Sequence, residues 1–190
     1  MRYPSLWRLV RPLLRLEFER IAPRWDTFRS PDALAAFEAG LERLERPPSH
    51  ALDLGTGTGI GALAIARRFP EAEVVGADLA EAMIDQARAK LDAGSSRVRF
   101  EVADGSRLPY GVGAFDLVTL QNMIPFFDEL ARVTAPAGAV LIAFSAGAET
   151  PIYVPSDRLR EELERRDFHE FADISAGRGS ALLAWKCAPA

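Results

Sequence analysis

The sequence predicts a doubly wound α/β domain with a seven-stranded, mostly parallel sheet whose last strand is antiparallel. Five short apolar runs between residues 51 and 144 alternate with helical stretches, which is typical of parallel βαβ units. Two further apolar runs near the C-terminus are separated by a glycine-containing turn that is too short for a crossover helix, so this pair is expected to be antiparallel. A chain of 190 residues can also bury one continuous core without disulfides or metals.

Residues 1–48 are predicted to form an N-terminal helical cap that is part of the same domain as residues 49–190. Leucines recur at helical spacing near the N-terminus, and Pro12 restricts this segment to a kinked or two-piece helix. Ser30 lies directly before a proline, which is typical of a helix N-terminus, and is expected to cap a second helix.

Strands and helices are then expected to alternate along the chain. The predicted strands are 51–54, 74–77, 98–102, 115–120 and 139–144, followed by 168–174 and 181–185. The predicted helices are 60–69, 81–93, 125–134 and 156–166. A loop at 105–113 takes the place of the helix expected before the fourth strand.

Composition and charge exclude several classes of protein. No apolar run approaches the roughly 18 residues that a membrane-spanning helix needs, because Arg or Glu interrupts every candidate. The formal net charge of -4 provides no global positive field for nucleic acid. The single cysteine, Cys187, cannot form an internal disulfide, and no signal segment is recognisable, so a cytoplasmic location is expected.

The charge is unevenly distributed along the chain. Residues 1–30 contain seven arginines against three acidic residues, which gives this segment a net charge of +4 and leaves -8 for the remainder. The expected arrangement is a basic helical segment docked on an acidic body.

The most informative segment reads LDLGTGTG at residues 52–59, where a buried strand ends in a glycine-rich turn and a helix begins. Glycines permit positive φ and let a ligand approach the backbone closely, while the helix N-terminus offers unpaired N–H groups. The turn alone is not specific, since the frame Gly57-x-Gly59-x-x-Ala62 also fits the fingerprint for nicotinamide and flavin nucleotides. The segment therefore predicts a nucleotide-type ligand.

Carboxylates accompany three consecutive strands of the predicted sheet. Asp78 ends the second strand, where it can accept hydrogen bonds from both hydroxyls of a ribose. Asp53 precedes the glycines and suits a ligand with a cationic amine, and Asp104 follows the third strand, where it can accept from an exocyclic amine. A purely structural turn would not require all three acids.

Together these motifs resemble the class I S-adenosylmethionine-dependent methyltransferases, in particular the small type 11 group. The resemblance covers about residues 50–145 and rests on LDLGTGTG, VVGADLAEAM, VRFEVADGSRLPYGVGAFDLV and ELARVTAPAGAVLIAF. It implies a Rossmann-like fold, S-adenosyl-L-methionine as cofactor, and in-line methyl transfer to a small-molecule acceptor, mainly by proximity and orientation. Many relatives carry a histidine after the fourth strand, whereas this chain reads LQNMIP there, so no catalytic base is assigned.

The resemblance also implies site residues by position. Asp53 would lie by the cofactor's amino group, Asp78 by the ribose, and Asp104 by the adenine amine. The predicted cofactor-binding residues are Asp53, Gly55, Thr56, Gly57, Gly59, Asp78, Leu79, Met83, Ala103, Asp104, Gly105 and Gln121. The predicted substrate pocket comprises Trp25, Asn122 and Phe126, with residues 21–28 folded over the ligand.

Two alternatives remain open at the level of sequence. A nicotinamide-dependent oxidoreductase would share the glycine turn and Asp78, although no tyrosine is followed four positions later by lysine. A protein that binds S-adenosylmethionine without catalysis would explain the missing histidine. The only histidines, His50 and His169, are expected to lie beside strands for structural reasons, and with Cys187 they are too few for a zinc site.

Overall fold

The computed structural model describes residues 4–92 and 95–188. Within them a seven-stranded sheet has the order β3-β2-β1-β4-β5-β7-β6. The strands are β1 (His50–Leu54), β2 (Glu73–Asp78), β3 (Val98–Val102), β4 (Phe115–Gln121), β5 (Thr134–Phe144), β6 (Phe168–Ala176) and β7 (Gly179–Lys186). The α-helices are α1 (Pro4–Ile21), α2 (Ala35–Glu42), α3 (Ile60–Arg68), α4 (Glu81–Arg88), α5 (Phe127–Val133) and α6 (Ser156–Glu164).

The strand directions confirm the predicted fold class. Strands β1 to β5 pair in parallel, whereas β7 runs antiparallel to both of its neighbours, β5 and β6. The turn between β6 and β7 is a short hairpin, as its length predicts. From β1 the chain runs outward through β2 to β3 and then returns to place β4 on the other side of β1. The carboxyl ends of β1 and β4 therefore form the crevice that positions the site.

Helices cover both faces of the sheet and create two apolar layers. On one face Phe37 of α2, Ile65 of α3 and Ile84 of α4 pack in one buried cluster. On the other face Leu130 of α5 and Leu163 of α6 pack in a second cluster. Because α2 belongs to the main core, only α1 and the 3₁₀ segment that follows it (Ala22–Phe28) lie at the rim of the sheet.

The N-terminal helices differ from the sequence-based expectation in two respects. Helix α1 is one continuous helix with Pro12 inside it, so the two-piece alternative is wrong. Proline removes one backbone hydrogen bond to the residue four positions earlier, and Arg8 at that position is exposed, so water can satisfy its carbonyl. Ser30 does not cap α2, which begins at Ala35 after a turn, because the Ser30 side chain hydrogen-bonds to Asp32 instead.

Other element boundaries differ by a few residues. Helix α4 ends at Arg88 rather than 93, and β5 begins at Thr134 rather than 139. The loop at 105–113 contains no helix, as expected. Among the described residues, no helix has the length and apolar character needed to span a membrane.

Candidate active site

A cavity of about 520 Å³ opens at the carboxyl ends of β1, β2 and β4, where open parallel sheets bind their ligands. Its volume is in the range of small-molecule and cofactor sites. Its walls come from the glycine turn after β1, from the ends of the neighbouring strands, and from α1 with the 3₁₀ segment. Every predicted site residue lines this cavity except Gly59 and Asp104.

The glycine turn forms a narrow part of the cavity wall. Gly55 and Gly57 have positive φ angles of 69° and 54°, which side-chain-bearing residues rarely adopt. A Cβ atom on Gly55 would lie 2.6 Å from the sulfur of Met123, and one on Gly57 would lie 3.3 Å from Nε1 of Trp25. The backbone here is therefore closely approached by side chains from the loop after β4 and from the 3₁₀ segment.

Gly59, from the same motif, lies outside the cavity lining and has a structural role. It is the N-terminal cap of α3 with φ of 88°. A Cβ atom there would lie 2.7 Å from Phe100 and 2.9 Å from Ala87. This glycine lets α3 pack against β3 and α4, on the side of the turn that faces the core.

Asp53 lies below the glycine turn, and its carboxylate is 2% exposed. Its oxygens accept hydrogen bonds from the hydroxyls of Thr56 at 2.6 Å and Thr119 at 2.8 Å. Burial raises the pKa of Asp53 to about 6, although these hydrogen bonds act in the opposite direction. Asp53 thus fixes the turn while still lining the cavity.

Asp78 stands at the end of β2 with its carboxylate turned toward the glycine turn. Its Oδ2 accepts the backbone N–H of Gly57 at 2.9 Å, and its Oδ1 accepts that of Ala80 at 3.0 Å. Burial raises the pKa of Asp78 above its ordinary value. Because each carboxylate oxygen can accept two hydrogen bonds, Asp78 retains acceptor capacity toward the cavity.

Both carboxylate oxygens of Asp104 are bound by side chains of α1, and Asp104 lies outside the cavity lining. Its Oδ1 accepts the indole N–H of Trp7 at 3.0 Å, and its Oδ2 pairs with Arg11 at 2.8 Å. Ser106 donates two further hydrogen bonds through its backbone and hydroxyl groups. Burial by itself would raise the pKa of Asp104, but the hydrogen bonds from Arg11, Ser106 and Trp7 hold it below its ordinary value.

Residues 4–28, here called the rim segment, cover one side of the cavity. Its aromatic residues Phe18 and Trp25 meet edge to face at 5.7 Å, and Trp25 lines the cavity as predicted. Glu19 accepts hydrogen bonds at 3.0 Å from the backbone of Glu81 and Ala82 in the first turn of α4, where a carboxylate is electrostatically favoured.

The far end of the rim segment is attached through Asp26. Its carboxylate pairs with Lys90 at 2.7 Å and with Arg29 at 2.9 Å, and it also accepts the hydroxyl of Thr58 in the glycine turn. The 3₁₀ segment is therefore fixed to the same turn that lines the cavity.

The end of β4 supplies the opposite wall. Asn122 has a positive φ of 51°, and its side chain donates to the Ser145 hydroxyl at 2.8 Å and accepts the Ser145 N–H at 2.9 Å. Gln121 donates to the backbone carbonyl of Ala33. Phe126 meets Trp7 edge to face at 4.9 Å, which joins this wall to α1. Asn122 thus shapes the wall in two ways, through its positive backbone φ angle and through the hydrogen bonds of its side chain to Ser145.

Several cavity residues were not predicted from the sequence. Met123 follows Asn122 directly and covers the glycine turn, whereas Arg29 and Arg178 come from distant segments. Arg29 is paired with Asp26, and Arg178 with Glu149 at 3.0 Å. Only one sequence signal could have predicted any of the missed residues, namely the helical spacing of apolar residues in α1. This spacing places Trp7, Leu14 and Phe18 on the face that lines the cavity.

The histidines lie away from the cavity. His50 is exposed at the start of β1, and His169 is exposed on β6. No group of three or more potential metal ligands occurs among residues 4–92 and 95–188. Within that part of the chain, the cavity lining contains no histidine.

The sequence is similar to known methyltransferases. Residues 51–141 match the family described as "Methyltransferase domain". The demethylmenaquinone methyltransferase of Thermus thermophilus is 41% identical over 140 residues, covering 66% of this chain and 62% of that protein. A ubiquinone/menaquinone biosynthesis C-methyltransferase of Geobacter sulfurreducens is 31% identical, covering 97% of this chain and 76% of that protein. This chain spans 57 to 62% of the length of the first three curated relatives.

Solved structures show the same fold. An S-adenosylmethionine-dependent methyltransferase from Aquifex aeolicus has a TM-score of 0.71 at 18% identity, covering 86% of this chain and 97% of that one. A putative methyltransferase in complex with the Trm112 activator of Haloferax volcanii has a TM-score of 0.75 at 18% identity, covering 90% and 98%.

The fold and the glycine-lined cavity define a Rossmann-like, cofactor-binding α/β domain. The chain belongs to the class I S-adenosylmethionine-dependent methyltransferases, because the match to the Geobacter relative extends over nearly the whole chain. This confirms the predicted family and, at the level of the family, the predicted cofactor. The comparisons give no support to a nicotinamide-dependent oxidoreductase.

Proposed function

We propose that this protein transfers a methyl group from S-adenosylmethionine to a small, largely apolar acceptor. The observation that carries the proposal is the continuity of one cavity. One part is lined by the glycine turn and the half-buried Asp78, and another by aromatic side chains that include Trp25 and Phe126. A polar cofactor and an apolar acceptor can therefore meet within a single cavity.

The residues of the cavity fit the cofactor. Gly55 and Gly57 have positive φ angles and carry no Cβ atom, so the backbone itself would contact the methionine portion. Asp78 would accept the ribose hydroxyls through its remaining lone pairs, and Leu79 and Met83 offer apolar contacts beside it. Asp53 would act by holding the glycine turn through its hydrogen bond with Thr56, rather than by offering a free carboxylate to the cofactor. When bound, S-adenosylmethionine supplies an electrophilic methyl group on a sulfonium.

The chain's contribution to the reaction is orientation and the exclusion of water. The aromatic walls hold an acceptor beside the cofactor, and fixed geometry alone can contribute several kcal/mol to such a transfer. Of the ionisable lining residues, Asp53, Arg29 and Arg178 are each held by partners, and Asp78 would be occupied by the ribose hydroxyls. We therefore assign no general base and propose that the acceptor enters as an already nucleophilic species.

We propose a quinol ring, the reduced and nucleophilic form of the class named for the demethylmenaquinone methyltransferases, as the acceptor. The relatives from Thermus thermophilus and Geobacter sulfurreducens bear names of this class. The apolar wall of Trp25, Phe126 and Ile152 supports a ring rather than a charged chain. A malonyl-[acyl-carrier protein] O-methyltransferase of Halorhodospira halophila, 35% identical over 86% of this chain and 57% of that protein, makes a malonyl thioester the competing acceptor to test.

Transfer of labelled methyl tests the function directly. Purified protein is incubated with methyl-labelled S-adenosylmethionine and either a demethylated naphthoquinol or malonyl-acyl-carrier protein, while calorimetry measures cofactor binding separately. We expect label in the quinol product and none in an Asp78→Ala control. Cofactor binding without transfer to any acceptor in a broad panel would support the non-catalytic alternative instead, and absence of cofactor binding would refute the proposal.

The remaining partner and location assignments stay proposals. The net charge of -4 supports the absence of a nucleic-acid partner, and the single cysteine supports a reducing, cytoplasmic location.

A further inference from the structure

Helix α1 has two apolar faces. Its inner face lines the cavity through Trp7, Leu14 and Phe18. Its outer face carries four leucines that are 49 to 73% exposed, namely Leu6, Leu9, Leu13 and Leu16. At about 3.6 residues per turn, these four positions form one stripe on the side of the helix opposite the inner face.

An exposed stripe of this kind requires an explanation. Single exposed leucines are ordinary, whereas contiguous apolar patches on a protein surface mark interaction sites. The inner face explains why α1 is helical and docked, but it does not explain leucines on the outer face. No residue in the described part of the chain buries the two most exposed of them, Leu9 and Leu13.

The charges around this stripe favour an anionic partner. Residues 1–30 carry a net charge of +4 on a protein whose remainder carries -8. Arg8 is exposed on α1. Arg20, whose side chain is 73% exposed, follows the leucines on the same face, where it pairs with the exposed Glu17 at 2.7 Å. Arginine side chains can extend from a helix buried at a membrane interface and keep their charges among lipid phosphates.

We propose that the outer face of α1 binds the surface of a bilayer that contains anionic lipid. A second copy of the chain is the less favourable partner, because a symmetric contact through this stripe would bring two segments of the same net positive charge together. In the proposed arrangement α1 separates the bilayer from the cavity by one helix. An apolar acceptor dissolved in lipid would then need to cross little water to reach the cavity.

Vesicle flotation of the full chain tests this surface without cofactor or acceptor, so its result is independent of the proposed methyl transfer. The probes are vesicles of phosphatidylcholine with phosphatidylglycerol and vesicles of phosphatidylcholine alone. The main variant is Leu9→Gln with Leu13→Gln, which keeps helix propensity while removing apolar surface. The matched control is Val112→Gln, which replaces a side chain that is 79% exposed in the loop before β4.

We expect the wild type and the Val112→Gln control to float with anionic vesicles and not with neutral ones. The double leucine variant should bind at least roughly 10-fold more weakly, because two large apolar side chains no longer enter the interface. Arg8→Gln with Arg20→Gln should weaken binding to anionic vesicles by several-fold. Unchanged circular dichroism would show that the variants fold.

Two results would overturn the proposal. One is equal flotation of the double leucine variant and the wild type. The other is a wild-type protein that does not bind either vesicle, in particular if light scattering shows a dimer that the leucine variant converts to a monomer.

Discussion

The indole N–H of Trp7 donates a hydrogen bond to Oδ1 of Asp104 at 3.0 Å, across 97 positions of sequence. The other carboxylate oxygen pairs with Arg11, so α1 is joined to the end of β3 at the border of the cavity. The family resemblance assigns this same carboxylate to the adenine amine. The carboxylate that holds α1 is therefore the one that the resemblance assigns to the adenine amine, although it lies outside the cavity lining.

Trp7→Phe should loosen α1. The change keeps an aromatic ring against Phe126 but removes the indole N–H that Asp104 accepts. We expect the free energy of unfolding to fall by about 1 kcal/mol and the amides of α1 to exchange hydrogen faster. Trp185→Phe on β7 is the control, and exchange in α1 that is equal in the two variants would contradict the expectation.

Asp78→Asn should weaken binding of S-adenosylmethionine. The amide retains one acceptor oxygen but loses the charge and part of the acceptor capacity, which costs about 2 kcal/mol when the group is buried. Affinity measured by calorimetry should fall roughly 30-fold. Asp85→Asn, which removes an exposed carboxylate on α4, should bind as the wild type does; equal affinity in all three proteins would exclude a ribose contact by Asp78.

Gly55→Ala should damage both stability and cofactor binding. Alanine at φ of 69° costs about 1 to 2 kcal/mol, and its Cβ atom would lie 2.6 Å from the Met123 sulfur. Thermal unfolding should show this loss, and Met123→Ala in the same chain should recover part of it. Gly111→Ala is the matched control, because nothing lies within 4 Å of its Cβ position; similar losses in the two alanine variants would contradict the steric argument.

Asp53 should make folding stability depend on pH in a particular direction. Burial raises its pKa from 3.8 to about 6, so the folded state binds this proton more tightly than the unfolded state does. The stabilising contribution is complete below the unfolded pKa and is lost as pH rises through about 6.

Between pH 5 and pH 7.5 the wild type should therefore lose about 1 to 1.5 kcal/mol relative to Asp53→Asn. Denaturant unfolding of both proteins at several pH values measures this difference, and other titrating groups cancel in the comparison. A difference that is constant across this range would mean that Asp53 is ionised in the folded state throughout.

Much of the fold could be predicted because its signals are local. The strands β1 to β4 were placed to within about a residue, since each is a short apolar run bounded by turn residues. The start of β5 at Thr134 was missed because Pro136 and Gly138 indicate a turn. The strand continues through them by an irregular register in which Phe115 pairs with Thr134.

The part of the site that lies next to the strands in sequence was also predictable. Gly55, Gly57 and Asp78 are close in sequence to the strands that position them, and all three line the cavity. The motif could not reveal that Gly59 faces Phe100, because this depends on how α3 packs. The contacts of Asp104 with α1 could not be foreseen, because Trp7 and Arg11 lie more than 90 positions away.

The rim segment is held by carboxylates at three separate points, Asp104, Glu19 and Asp26. The sheet, by contrast, is stabilised by apolar layers whose attraction does not depend on charge. Dissolved electrolyte weakens ion pairs near a protein surface and leaves buried apolar packing largely unaffected. Ionic strength should therefore regulate access to the cavity, at salt concentrations that do not change the stability of the rest of the protein.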